Sequence, residues 1–263
     1  MAESPQSFIV AEECDKATWQ NGFRRKVGEY AGWAAYESTT ANGAVYLAAD
    51  GRGGPWHLAI EHSGVIAELG VPPADLVGPG RARYSFENLP GLYATLGRVY
   101  ALALSLPDSP LQAFIAQTKD LPHATEAERL VVQRVGQDIF RERLMKYWSS
   151  ACPLTGITDP ALLRASHIKP WSRCDSDAER LDVHNGLLLS ALWDAAFDAG
   201  LVTFEDNGVP VFSPAMTDVA RATLTWLSPL RLTPQHRQQL SWHRRYMFSK
   251  SALSIPPTVA GEA

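Results

Sequence analysis

Residues 165–201, ASHIKPWSRCDSDAERLDVHNGLLLSALWDAAFDAGL, leave this chain fewer ways to fold than any other part of it. Residues 162–168 form a short strand-like segment that must end by Pro170, which cannot donate to a ladder. Alternation puts His167 on the opposite face from the apolar Ile168. A turn-rich stretch follows, and Asn185-Gly186 then opens NGLLL, an apolar run of strand length. LWDAAFDAGL reads as a helix with Asp194 and Asp198 at positions i and i+4, on one face. Strand, loop, strand and helix in this order bring an imidazole, a carboxamide and two carboxylates into a small volume.

The rest of the chain sets the frame. A length of 263 residues allows one large domain or two modest ones. With 46% apolar and 20% charged residues the chain belongs with folded proteins. The start, MAESPQSFIVAEECDK, lacks the basic and apolar regions of a secretion signal, and no apolar run reaches membrane-span length. Cys14, Cys152 and Cys174 are scattered, odd in number and without CxxC spacing. They point to reduced thiols in a cytoplasm, and away from a disulfide framework or a four-cysteine zinc site. Net charge is −4, but it is uneven: −4 over residues 1–124 and +1 over residues 125–250. Metal bound to two of the second segment's acids would make that segment more positive, which favours a polyanion.

A boundary is expected at residues 120–125, where DLPHATEAE breaks an apolar pattern and supplies a capping box, Thr125 with Glu128. The expected division is an N-terminal domain at 1–120, a catalytic domain at 121–250 and a disordered tail at 251–263. In the first half, residues 44–49 and 57–67 read as strands flanking an Asp-Gly turn and a glycine-rich loop, and residues 92–106 as a helix. The segment WQNGFRRKVGEYAGWAAY interleaves Trp19, Phe23, Tyr30, Trp33 and Tyr36 with Arg24, Arg25 and Lys26. Such rings either fill a small core or stack on bases. The second half opens with a helix over residues 125–149, with Leu130, Val131, Val135, Ile139, Leu144 and Tyr147 on its apolar face. Its arginines, Arg141 among them, either form a solvated face or line a phosphate backbone.

Phosphodiester hydrolysis needs an activated water, a stabilised phosphorane charge and a neutralised leaving alkoxide. A neutral imidazole, with an ordinary pKa of about 6.5, suits the first task and a divalent cation the other two. His167 is the candidate base, Asn185 a carboxamide that can bridge backbone across a loop, and Asp194 and Asp198 a hard-oxygen pair suited to Mg²⁺ or Mn²⁺. His184 is read as a supporting or exposed residue rather than a catalytic one. The whole constellation resembles the ββα-metal, or HNH, nuclease motif, in the variant found in bacterial restriction endonucleases. The resemblance covers residues 125–207, including the helix QRVGQDIFRERLMKYW and the turn CPLTG. In HNH nucleases the positions nine and thirteen after the asparagine commonly carry metal ligands, and here they hold Asp194 and Asp198. The position before the base, often His or Asp in the family, is Ser166, and the zinc-binding CxxC of some relatives is reduced to Cys152 and Thr155.

The resemblance implies an α+β protein: a mixed N-terminal domain of unknown type, then a ββα-metal domain buttressed by a long helix. It implies metal-dependent endonucleolytic cleavage, of DNA, in restriction or phage defence, by a cytoplasmic enzyme. Two-strand cutting would call for a homodimer. Arg164, Lys169 and Arg173 flank the base and are the candidate phosphate contacts. The alternative is a non-catalytic nucleic-acid or modified-base binding module that kept the hairpin, and Ser166 is the residue that motivates it.

Overall fold

The computed structural model describes residues 6–122 and 124–248, so the expected tail at 251–263 lies outside the described residues. The chain divides into two units, Met1–Ser109 and Pro110–Ala263.

The first unit is an antiparallel meander, β1 (Arg25–Tyr30), β2 (Trp33–Glu37), β3 (Val45–Ala49), β4 (Trp56–Ile60) and β5 (Ala82–Phe86), paired in chain order. Helices α1 (Phe8–Gln20) and α3 (Leu89–Ser105) pack against the central strands β3 and β4, every residue of which is buried. The strand expected over 57–67 stops at Ile60. His62 then accepts the Val65 N–H through Nδ1 at 3.3 Å and caps a short helix, α2 (Ser63–Glu68). A histidine competent as a helix cap wins over an apolar run that looked continuous. The aromatic segment divides between core and surface. Phe23, Trp33 and Tyr36 are buried, whereas Trp19 and Tyr30 stay 59% and 57% exposed, with the Arg24 guanidinium 5.4 Å from the Trp19 ring. Lys26 and Arg25 are tied to Asp15 and Glu37.

The second unit is built around a two-stranded antiparallel ribbon, β6 (Leu163–His167) with β7 (Gly186–Ser190), in the register His167 opposite Gly186 and Leu163 opposite Ser190. After α4 (Ser109–Thr118) comes α5 (Glu126–Tyr147), which packs on both strands; α7 (Ala191–Asp198) also packs on both. The loop between the strands holds α6 (Asp177–Leu181), and the unit continues through the hairpin β8 (Val202–Phe204) and β9 (Pro210–Phe212), then α8 (Asp218–Thr223) and α9 (Pro234–His243). The expected α+β class, with a ββα element beside a long helix, is the observed one.

Sequence periodicity places α5 correctly and its buried face only in part. The capping box forms: Thr125 N–H donates to Glu128 Oε2 at 2.8 Å and Glu128 N–H to Thr125 Oγ1 at 3.2 Å. Burial begins only at Gly136 and runs through Ile139, Phe140, Leu144 and Tyr147, leaving Leu130 and Val131 59% and 53% exposed. Arg141 is half-buried and engaged by backbone. It donates to the Leu163 and Pro160 carbonyls at 2.9 Å each and so fixes the helix to the start of β6.

Asn185-Gly186 is not the tip of a hairpin. Asn185 ends a 3₁₀ turn and Gly186 is already extended strand. A Cβ at Gly186 would stand 2.5 Å from the Phe140 ring and 2.9 Å from Leu144. Glycine is needed there so that α5 can lie directly on the ribbon, not for turn conformation.

Candidate active site

The geometry of the site follows from alternation along β6. Ser166 faces α7 and is 3% exposed, whereas His167, the last residue of the strand, faces α5. The Ser166 hydroxyl lies 3.5 Å from Asp198 Oδ1 and also hydrogen-bonds the Asp194 carboxyl. Residues 193, 196 and 197 bury the opposite side of α7, which turns the two aspartates together toward Ser166.

Electrostatics set this pair apart from ordinary surface carboxylates. Burial raises the Asp194 carboxyl above the usual range, with Ser166 and the charge of Arg164 opposing the shift. Burial, and then the neighbouring Asp194 charge, push Asp198 up to about 6. Two carboxylates and a hydroxyl are hard oxygen donors. They fit Mg²⁺ or Mn²⁺, which take few ligands from protein and keep waters or substrate phosphate for the rest. Among the described residues no group of three or more His, Cys, Asp or Glu side chains is placed to hold a metal. The donor set is therefore sparse: two carboxylates and the Ser166 hydroxyl.

His167 lies among other groups. Its ring stacks on Phe140, centroids 3.8 Å apart and 16° from parallel, with the Trp171 ring edge-on at 5.6 Å. Its Nε2 is 2.9 Å from the Arg180 carbonyl oxygen. A carbonyl only accepts, so Nε2 carries the proton and the neutral ring keeps its lone pair on Nδ1. Burial lowers the pKa of this histidine, which keeps it neutral near pH 7. The carbonyl it uses is steadied in turn, since the Arg180 side chain donates to Asp177, to the Cys174 carbonyl and to the Trp171 carbonyl.

Asn185 is fully buried and bridges the ends of the loop. Its Oδ1 accepts from Lys169 N–H at 2.8 Å, and its Nδ2 donates to the Lys169 carbonyl at 3.1 Å, the Glu179 carbonyl at 3.3 Å and Cys174 Sγ at 3.4 Å. Asn185→Ala is expected to lower unfolding free energy by about 1–3 kcal/mol for each backbone group left without a partner. Urea melts with an unchanged midpoint would show that the bridge is dispensable. His184 is buried beside it, with Nδ1 2.8 Å from Asp182 Oδ1 and its ring edge-on to Tyr147 and His236.

The three flanking cations differ. Lys169 is buried, its ammonium held by Asp175 at 2.8 Å and by both Glu179 oxygens at 3.0 Å, so it closes the loop. Arg164 is exposed but donates to the Ala161 and Leu163 carbonyls. Arg173 is exposed; its backbone N–H donates to the Pro170 carbonyl at 2.8 Å, and its side chain pairs with no described residue. Sequence reasoning did not anticipate Phe140, the Arg180 carbonyl or Glu179. Each acts through the register of the ribbon or the path of the loop, which residue types alone do not disclose.

No curated protein matches the chain significantly. Residues 152–205 match the family model described as HNH endonuclease, a span that begins at the CPLTG turn and closes at the end of β8. The ribbon whose first strand ends in the imidazole, the loop clamped by the asparagine and the helix carrying two carboxylates all lie within residues 152–205, the span that is similar to the HNH endonuclease model.

Proposed function

We propose that the protein is a metal-dependent endonuclease that hydrolyses phosphodiester bonds in DNA, in the cytoplasm, as part of restriction or phage defence. The observation that carries this reading is the pair Asp194 and Asp198 against the Ser166 hydroxyl, next in the chain to a neutral, oriented His167. Ser166 and His167 are successive residues at the end of β6, one facing α7 and the other α5, and the proposed mechanism requires a phosphate at the end of the strand that meets both sides. His167 removes a proton from the attacking water at Nδ1, while Phe140 and the Arg180 carbonyl hold its ring in one orientation. Asp194 and Asp198, with Ser166, would hold Mg²⁺ or Mn²⁺, which supplies charge neutralisation at the phosphate oxygens and the leaving alkoxide. Asn185 keeps the loop after the base closed, and Arg164 and Arg173 grip flanking phosphates. Lys169 supports them by holding the loop rather than by touching DNA. Among the described residues no helix is long and apolar enough to cross a membrane.

Incubation of the purified protein with supercoiled plasmid and Mg²⁺, Mn²⁺ or EDTA tests this directly. Metal-dependent nicking is expected. Binding without cleavage under every metal would favour the non-catalytic module that Ser166 suggests. Cleavage of both strands would require two copies of the site, and hence a homodimer.

The N-terminal domain, rather than the nuclease domain, is assigned the choice of substrate. A base and a metal at one phosphate carry no sequence information, so discrimination needs another surface. Trp19, exposed and covered by Arg24, is the best placed ring for it. Trp19→Ala is expected to reduce the discrimination between methylated and unmethylated plasmid by roughly 5-fold or more, the scale of one lost base stack. An unchanged ratio of cutting rates would remove Trp19 from recognition.

A further inference from the structure

Resting on the nuclease reading, we infer that the cleft between the loop after β6 and the end of α9 is a subsite for one unstacked base of the substrate strand. Its volume is about 410 Å³ and it is lined by Lys169, Arg173, Asp175, Trp242, Tyr246 and Met247. That lies in the range of small-ligand clefts, about 300–1,000 Å³. A neighbouring cleft of about 350 Å³ shares Lys169, Trp242 and Tyr246, so the two rings form the ridge between the openings.

The ridge is built as a platform. Trp242 and Tyr246 have centroids 5.1 Å apart and are inclined at 39°, and Tyr246 is 40% exposed, just after two residues that are held firmly. His243 is 1% exposed. Its Nδ1 lies 3.0 Å from Thr203 Oγ1, its Nε2 lies 3.2 Å from the Phe197 carbonyl, and its ring stacks on Phe197 at 3.9 Å. Arg244 donates to the Phe204 carbonyl at 2.7 Å and to Asp206 at 2.8 Å. These anchors point inward and leave the rings outward, which preorganises them and lowers the entropy lost on stacking. The Arg245 guanidinium lies 5.3 Å from the Tyr246 ring, the arrangement by which cations and bases share an aromatic face.

Charge and position select a nucleotide. Asp175 and Glu179 hold the Lys169 ammonium, so Arg173 is the cation of the lining whose side chain no described carboxylate holds. Lys169 follows the candidate base by two residues, which joins one wall of the cleft to the end of β6. A base stacked on the ridge with its phosphate at Arg173 would fix the strand on one side of the cut. Stacking tolerates any base, so the subsite positions the strand without reading it.

Binding of fluorescent oligothymidylate, and of an abasic strand of equal length, should be measured in EDTA so that no cleavage intervenes. The wild-type protein is expected to prefer the strand with bases. Tyr246→Ala and Trp242→Leu are each expected to weaken that strand by about 5- to 100-fold and leave the abasic strand nearly unaffected, whereas Tyr246→Phe keeps the preference. Arg173→Ala is expected to weaken both strands and reduce the salt slope by about 0.7. Equal affinity for the two strands, or ring variants that bind as wild type does, overturns the subsite. Plasmid nicking without any base preference sinks the subsite alone. Base preference without nicking sinks the nuclease reading and leaves the subsite standing.

Discussion

His167→Ala is expected to cut plasmid roughly 10²- to 10⁴-fold more slowly than the wild type, while Mn²⁺ binding is retained. The residue stands at the end of a strand, stacked on Phe140 and tied through Nε2 to the Arg180 carbonyl, an arrangement that serves orientation. Burial lowers its pKa, so the base form is already dominant near neutrality and the rate should fall only as acid charges the ring. His167→Gln separates chemistry from packing, because it keeps a polar group near Arg180 and removes the base. Both variants should fold, and circular dichroism would confirm it. A variant that folds and still nicks within a few-fold of the wild type would place the base elsewhere. His184 would then be the nearest alternative, though it is buried and hydrogen-bonded to Asp182.

The site was legible in the sequence wherever chemistry depends on residue type and spacing. Asp194 and Asp198 share a face because they are four residues apart on a helix, and nothing else in the chain could alter that. The strand ending before Pro170 and the capping box at Thr125 are likewise local facts with local causes. What spacing does not carry is long-range packing. Gly186 opens an apolar run in the sequence, and that it is the gap through which Phe140 reaches the ribbon is visible only once α5 is laid across β7. Leu130 and Val131 fit the helical period of α5, yet burial starts further along, where the helix meets the ribbon. Lys169 looked like a phosphate ligand because it follows the base by two residues. Its ammonium is consumed by Asp175 and Glu179, whose approach depends on how the loop folds back. The N-terminal meander was read as two strands and a helix; β1, β2 and β5 are polar, short or glycine-interrupted and carry weaker patterns.

Replacing the carboxylates should have effects opposite in sign on binding and on folding. Asp194→Ala is expected to abolish nicking and Asp198→Ala to weaken it less, because Asp194 is the more enclosed of the two and Asp198 keeps a solvent-exposed edge. The double variant should lose Mn²⁺ affinity by more than the roughly 10- to 100-fold typical of losing a group that merely supports a ligand. Stability of the metal-free protein should move the other way. Asp198 holds its proton up to about pH 6 in the folded chain, against an ordinary value of 3.8. The folded state therefore binds more protons than the unfolded one between those values. Stability rises as pH falls through that window, and the ionised pair is a cost above it. Asp198→Asn removes the cost, so the metal-free variant should melt above the wild type at pH 7.5, with the difference fading toward pH 4. Mn²⁺ should reverse the order by stabilising only the wild type, since a ligand that binds the folded state alone raises its melting temperature. Acidification should weaken Mn²⁺ binding below about pH 6, where a proton competes for Asp198. Undiminished Mn²⁺ binding in the double variant, or metal binding indifferent to pH between 5 and 7.5, would move the metal away from these two carboxylates and take the proposed mechanism with it.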